Sequence, residues 1–432
     1  MPPPTREVSR GALLLVVAAA ALPRLLVLAI ERGQILEEFV EKSDRFAQTL
    51  VASGTFGFLP GVPSAYTQPL YAVFLAGLYW PFGHSWLAVG LAQTLMAVAT
   101  ALIVFELGRR LRSTWVGVAA ALLTTLHPYV VWHDVHVNRE ILDGFLIAAL
   151  TLLGLLAFER RSAALGAATG AVAGLAVLGN ARLALLPLTL AVYVAWPARP
   201  PGRALLTGAA TIAAAALVVT PWLARNEVSI GCAVITSDTR ALWKANNPNT
   251  YDVLARGQWI DDVPDLPGVP PWPERAAEIS PAAARAVDEC AQTRFYRDEV
   301  LDFWGDHPGE KARLAGQAVR MLWSPTFSVE DDDAARGGLA ETARRVVEPL
   351  YALALYGLAL AGCLFAPRRF LALALLLLAY NTLAAMVFAG TVRYRAPFDF
   401  LLAVLAAFAL ERAWARASAA RYSSSWRSVQ RS

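Results

Sequence analysis

The chain has 432 residues, 56% of them hydrophobic, and a mean hydropathy of +0.45. A soluble domain of that length has no interior large enough for so much apolar surface, so the soluble classes are excluded. The 38 basic and 34 acidic residues leave a net charge of +4, which makes no case for nucleic acid, and three cysteines do not make a disulfide scaffold.

A spanning helix needs about 20 mostly apolar residues. The first such run, 11–30, follows Arg6 and Arg10 and continues past Pro23. It is too long for the apolar region of a signal peptide and reads as an uncleaved membrane helix. Further runs fall at 85–107, 114–132, 141–158, 162–179, 183–196, 204–223, 347–366, 370–389 and 397–415. The fold class expected is therefore an all-α polytopic membrane protein with about ten transmembrane helices. Between the runs lie basic turns at Arg109, Arg110 and Arg112, at Arg160 and Arg161, at Arg199 and Arg203, and at Arg368 and Arg369. A tail with Arg412, Arg416, Arg421, Arg427 and Arg431 follows. Short basic loops stay in the cytoplasm. They all do so if Pro69–Gly83, short and flanked by proline, is a juxtamembrane or re-entrant helix. Both termini are then inside, and 31–84, 133–140, Asn180–Arg182 and 224–346 are outside. The expected place is the inner (plasma) membrane, and the expected domains are 1–223, 224–346 and 347–432.

The outer segments carry the chemistry-bearing residues. In 31–84, Phe39, Phe46 and Leu50 recur at helical spacing, as in an amphipathic helix on the membrane surface. Asp44 sits on it among Glu37, Glu38 and Glu41. A carboxylate beside apolar surface acquires a raised pKa and suits a general base, whereas a solvated one is only a surface acid. The next turn gathers His127, His133, Asp134, His136, Arg139, Glu140 and Asp143. The spacing of His133, Asp134 and His136 fits no standard zinc pattern, so no metal is assigned. Glu140 opens an apolar run, where an ionisable group is a functional candidate by default. The segment 224–346 begins with aromatic, amide and lysine residues suited to a polar ligand, Trp243 and Asn246 among them. From Ser280 it turns helical, breaks at Gly305–Pro308 and runs on to about Trp323, so a small helical domain is expected. Cys232 and Cys290 both lie in it, and the spacing leaves their pairing open.

The last outer turn reads GTVRYRAPFDFLL, Gly390 to Leu402. Arg393 and Arg395 lie outside, against the usual charge bias. Either they snorkel to lipid headgroups or, with Arg182 and Arg225 at other outer helix ends, they hold an anion. Alternate residues diverge, so one arginine is expected on the anion and the other on the outer domain or a carboxylate such as Glu140. No nucleotide-binding loop appears, so an enzyme here takes an already activated substrate on its outer face.

The order of these pieces resembles the GT-C glycosyltransferases of the family 39 type, which include aminoarabinose transferases and protein mannosyltransferases. An acid follows the first helix, then come PLY, an acidic turn, PWLARN, LWKANNP and VRYRAP. The resemblance implies transfer of a sugar from a polyprenyl-phosphate donor to an extracytoplasmic acceptor, at an active site on the extracytoplasmic face. Carried over, Asp44 is the base and Glu140 the acid at the start of its helix. Arg393 and Arg395 match basic residues near the lipid phosphate, and Trp222, Arg225 and Asn226 match the entry to the outer domain; Arg182 and Arg225, from their place at outer helix ends, are the further candidate donor-phosphate ligands. Arg24 matches a frequent arginine in the first helix; Tyr66, Tyr394, His133, Asp134, Trp243 and Asn246, on the outer segments, are the candidate substrate contacts read from the residues themselves. Two departures stand out: Tyr66–Pro69 replaces a basic residue with two prolines, and Arg45 replaces a second acid after Asp44. No cofactor is expected. The rival class is a transporter or flippase of a lipid-linked glycan. It lacks support from paired broken helices in two halves, and the charges gather on one face.

Overall fold

The computed structural model describes residues 9–37, 40–196, 201–326 and 346–429, without the side chains of 201 and 419–429. Arg6, Glu38, Phe39, Arg199 and Arg431, and the side chains of Arg421 and Arg427, therefore lie outside the described residues. The described chain is helical. The membrane part begins with α1 (Arg10–Glu31), α2 (Lys42–Ser53), α3 (Pro69–Phe82), α4 (Trp86–Leu111) and α5 (Thr114–Thr125). Next come α6 (Pro128–His133), α7 (Glu140–Arg160), α8 (Ala163–Gly179), α9 (Leu186–Ala195) and α10 (Pro201–Ile230). Six shorter helices follow: α11 (Thr239–Lys244), α12 (Thr250–Ala255), α13 (Pro273–Ile279), α14 (Pro281–Arg285), α15 (Glu289–Asp306) and α16 (Pro308–Leu322). The chain then returns to the bundle as α17 (Glu348–Gly362), α18 (Arg368–Val387), α19 (Val392–Arg395) and α20 (Asp399–Val429).

Among the described residues, five helices are long and apolar enough to cross a membrane: Arg10–Leu36, Trp86–Leu111, Glu140–Arg160, Gly202–Ile230 and Arg368–Val387. Shorter apolar helices, α3, α5, α8 and α9, pack among them. Serine side chains fix several starts. Ser85, Ser113 and Ser162 each accept from a backbone N–H in the first turn of α4, α5 and α8. Proline moves two expected limits. The run 114–132 ends at Thr125, because Pro128 forces an extended His127 before it and starts α6. The run 183–196 divides into a 3₁₀ turn, Ala181–Leu183, and α9, which has Pro187 in its first turn. By contrast α10 passes through Pro221 and continues to Ile230, so the boundary at 223 falls inside a helix.

Helices α8 and α10 pack backbone against backbone. A side chain added at Gly166, Gly170 or Gly174 would fall within 3 Å of Thr207, Thr211 or Ala215 backbone. The start of α20 is buried on all sides, from Phe400 to Ala409, and forms the centre of the bundle. At one end of the bundle the basic turns meet. Arg112 pairs with Glu411 at 2.8 Å, Arg369 with Glu159 at 3.0 Å, and Arg161 donates to the Val194 carbonyl. At the other end sit the first loop and the short helices. Ser280 caps α14 and Pro308 opens α16, as the pattern predicts. Cys232 and Cys290 form a disulfide, with Cα atoms 6.0 Å apart, and tie the end of α10 to the start of α15.

Candidate active site

A cavity of about 480 Å³ opens at the end of the bundle away from the basic turns, between the first loop, the 133–140 turn, the short helices and residues 388–394. Three guanidiniums share its wall. Arg139 precedes α7 and donates to Gln68 Oε1 at 2.9 Å. Arg182, in the turn after α8, lies 3.8 Å above the ring of Tyr394 and donates to the Ala389 carbonyl. The Nε atoms of Arg139 and Arg182 are buried and have no hydrogen-bond partner among the described residues. Arg393 is the third, and it bridges two acids: its Nε lies 2.6 Å from Glu140 Oε1, and its terminal nitrogen pairs with Glu41.

Glu41 stands just before α2 in extended backbone, and its N–H donates to the Val137 carbonyl. This turns the carboxylate into the cavity. Burial raises its pKa above the ordinary glutamate range, against the pull of Arg139 and Arg393. The opposite wall is acidic, with Asp238, Asp261 and Glu274, and Lys42 spans it, 3.3 Å from Glu274. Tyr66, Tyr394, His133 and Trp259 supply aromatic faces.

Five of the twelve nominated residues line this cavity: Arg182, Arg393, Tyr66, Tyr394 and His133. Glu140 lies behind it, held by Arg393, with Oε2 buried and unpaired among the described residues. The other six are elsewhere. Asp44 points away from the cavity and accepts from Tyr79, from Gln48 at 2.7 Å and from His84 at 3.0 Å. Arg395 is 1% exposed and is consumed by Asp399 and the carbonyls of Leu322 and Ser324. Arg225 braces the first loop through the carbonyls of Phe56 and Ser64. Asp134 is paired with Arg24 inside the bundle. Trp243 packs on Tyr296, and Asn246 joins the short helices to α18. Of the cavity's charged residues, Glu41, Arg139, Lys42, Asp238, Asp261 and Glu274 were not nominated. Glu41 and Arg139 share one mark in the sequence: each immediately precedes a helix. Among the described residues no three His, Cys, Asp or Glu side chains converge as a metal site.

The family described as dolichyl-phosphate-mannose-protein mannosyltransferase matches residues 64–224. No curated protein matches the chain. In structure it is similar to an oligosaccharyltransferase of Archaeoglobus fulgidus in the apo form. Identity is 13% and the TM-score is 0.50, over 96% of this chain and 52% of that one. The chain thus spans about half the length of that relative. An ArnT from Cupriavidus metallidurans bound to undecaprenyl phosphate aligns over 94% of this chain and 78% of that one, at 14% identity and a TM-score of 0.41. The class that the fold defines is a polytopic, all-helical membrane protein with a fold similar to that of the archaeal oligosaccharyltransferase.

Proposed function

We propose that the chain is a membrane glycosyltransferase that moves a sugar from a polyprenyl-phosphate donor to an extracytoplasmic acceptor. Three guanidiniums on one cavity wall, two with buried and unsatisfied Nε atoms, carry this reading. The family match over 64–224 supports it, since that family's description includes a lipid-phosphate sugar. As the sugar–phosphate bond breaks, negative charge builds on the leaving phosphate. Fixed guanidiniums in a buried site stabilise that charge more in the transition state than in the ground state. Arg182 and Arg139 are the ligands, and Arg393 completes the set when the donor competes with its carboxylates. Glu41 takes the acceptor proton as the acceptor displaces the phosphate directly, with inversion. Glu41 replaces Asp44 in this role because, of the two, Glu41 lines the cavity and Asp44 does not. The disulfide suits an oxidising compartment, so the cavity end faces away from the cytoplasm. The test is transfer in proteoliposomes from a labelled polyprenyl-phosphate sugar. Transfer to an acceptor supports the enzyme; donor movement across the bilayer without transfer overturns it.

A further inference from the structure

Lys311, on α16, lies outside the cavity yet governs one of its walls. Its ammonium donates to Asn246 Oδ1 at 2.5 Å and to the Met386 carbonyl at 2.7 Å, with the Val387 carbonyl at 3.5 Å. Asn246 donates to Val387 O at 3.0 Å and accepts from Trp304 Nε1 at 2.9 Å. Met386 and Val387 end α18. Carbonyls in a last helical turn have no partner within the helix, and a cation there is favoured by the helix dipole. No carboxylate pairs with Lys311 among the described residues. An ammonium drawn down to a pKa of about 8 by burial is thus spent on neutral oxygens at one helix end.

The residues just past that end build the anion wall. Phe388 and Ala389 line the cavity, as do Arg393 and Tyr394. Helix α16 grips this segment twice more. Gly390 lies so close to Ala318 that an added Cβ would be 1.8 Å from its carbonyl oxygen. Arg395 donates to the carbonyls of Leu322 and Ser324. The same segment holds Arg182, through the Ala389 carbonyl and the Tyr394 ring.

We infer that Lys311 is a positioning residue for the lipid-phosphate subsite: by holding the end of α18 it sets where Ala389, Arg393 and Tyr394 place the guanidinium of Arg182. This rests on the donor reading above. The three grips come from one helix of the short-helix domain, so that domain sets the shape of the phosphate site from outside it. Loss of a buried, charge-assisted contact that positions this guanidinium is expected to weaken phosphate binding and, because the guanidinium also meets the charge that builds on the leaving phosphate, to lower kcat.

The full chain in nanodiscs, with polyprenyl phosphate as the probe, provides the test. Lys311→Met should weaken binding about tenfold and raise the donor KM similarly. Its kcat should fall as well, while its thermal unfolding should remain cooperative. Arg320→Ala, an exposed change on the same helix, should bind as the wild type does. Should Lys311→Met not fold, Asn246→Asp carries the same readout with a smaller loss. Wild-type affinity in the folded variant overturns the inference, as does an equal loss in Arg320→Ala or a fall in kcat with KM unchanged. Absence of polyprenyl-phosphate binding by the wild-type chain is a different outcome: it refutes the donor site itself.

Discussion

Glu41 and Asp44 are three residues apart, and on one continuous helix they would face the same way. The helix begins at Lys42, between them, so the extended backbone at Glu41 turns its carboxylate into the cavity while Asp44 stays under Tyr79 and His84. Glu41→Gln is therefore expected to cut transfer by about 10²–10⁴, with donor binding retained. Asp44→Asn should keep turnover and lower the thermal midpoint; an inactive, fully stable Asp44→Asn would reverse the assignment. The pH profile carries a sign. A raised pKa keeps Glu41 protonated at pH values where a free glutamate is ionised, so activity should fall, as pH drops, above the ordinary carboxylate range. In Glu41→Gln that limb should vanish from the residual rate. The arginines separate in the same way. Arg182→Ala should weaken polyprenyl-phosphate binding about tenfold or more, at roughly 1.5–3 kcal/mol for a charge-assisted contact. Arg395→Ala leaves the buried Asp399 without its guanidinium and with only His127, 3.4 Å away, beside it; a loss of about 3–5 kcal/mol is expected, seen as unfolding rather than as weaker binding. The sequence supported a split between Arg393 and Arg395 through their alternation. It offered Glu140 as a carboxylate partner for one of them but not Glu41, which meets Arg393 across 352 residues.

At the scale of elements, hydrophobic runs marked most helices because lipid-facing and core-facing residues are alike apolar. Their ends were less legible where proline intervened, as in the break of 114–132 at Pro128 and the passage of α10 through Pro221. Contacts between helices were less legible still. The glycines of α8 bring it against α10 closely enough for Thr211 Oγ1 to donate to the Gly166 carbonyl at 3.0 Å. At Gly170 a Cβ would lie 2.0 Å from the Thr211 carbonyl oxygen, and both sides of that clash are backbone. Gly170→Ala should destabilise the chain by about 1–3 kcal/mol or more through overpacking, read as a lower thermal midpoint in detergent. Gly316→Ala, with nothing within 4 Å of the added carbon, is the control and should leave the midpoint unchanged or raise it. Equal midpoints for the two variants would show that the α8–α10 pair yields more than its backbone contact implies.

Over the whole molecule, the distribution of charge was the legible feature. The basic turns gather at one end through pairs such as Arg112–Glu411, and the arginine cavity lies at the other. A single cysteine placed in the Arg109 turn should resist a membrane-impermeant thiol reagent in intact cells and react after permeabilisation. Ready labelling from outside would invert the orientation. The way the short helices close over the site was not legible, since it depends on contacts such as Arg240 with Asp265 and Lys42 with Glu274. The disulfide within that part has a mechanical consequence. It closes a ring of 58 residues in sequence separation, and the ring contains α11 through α14 and the acidic wall of the cavity. A protease that nicks the exposed turn around Gly257 or Gly268 would cut the chain but release nothing. The two pieces would migrate as one band until a reductant parts them, so the stretch most open to attack can be scissioned once without being shed.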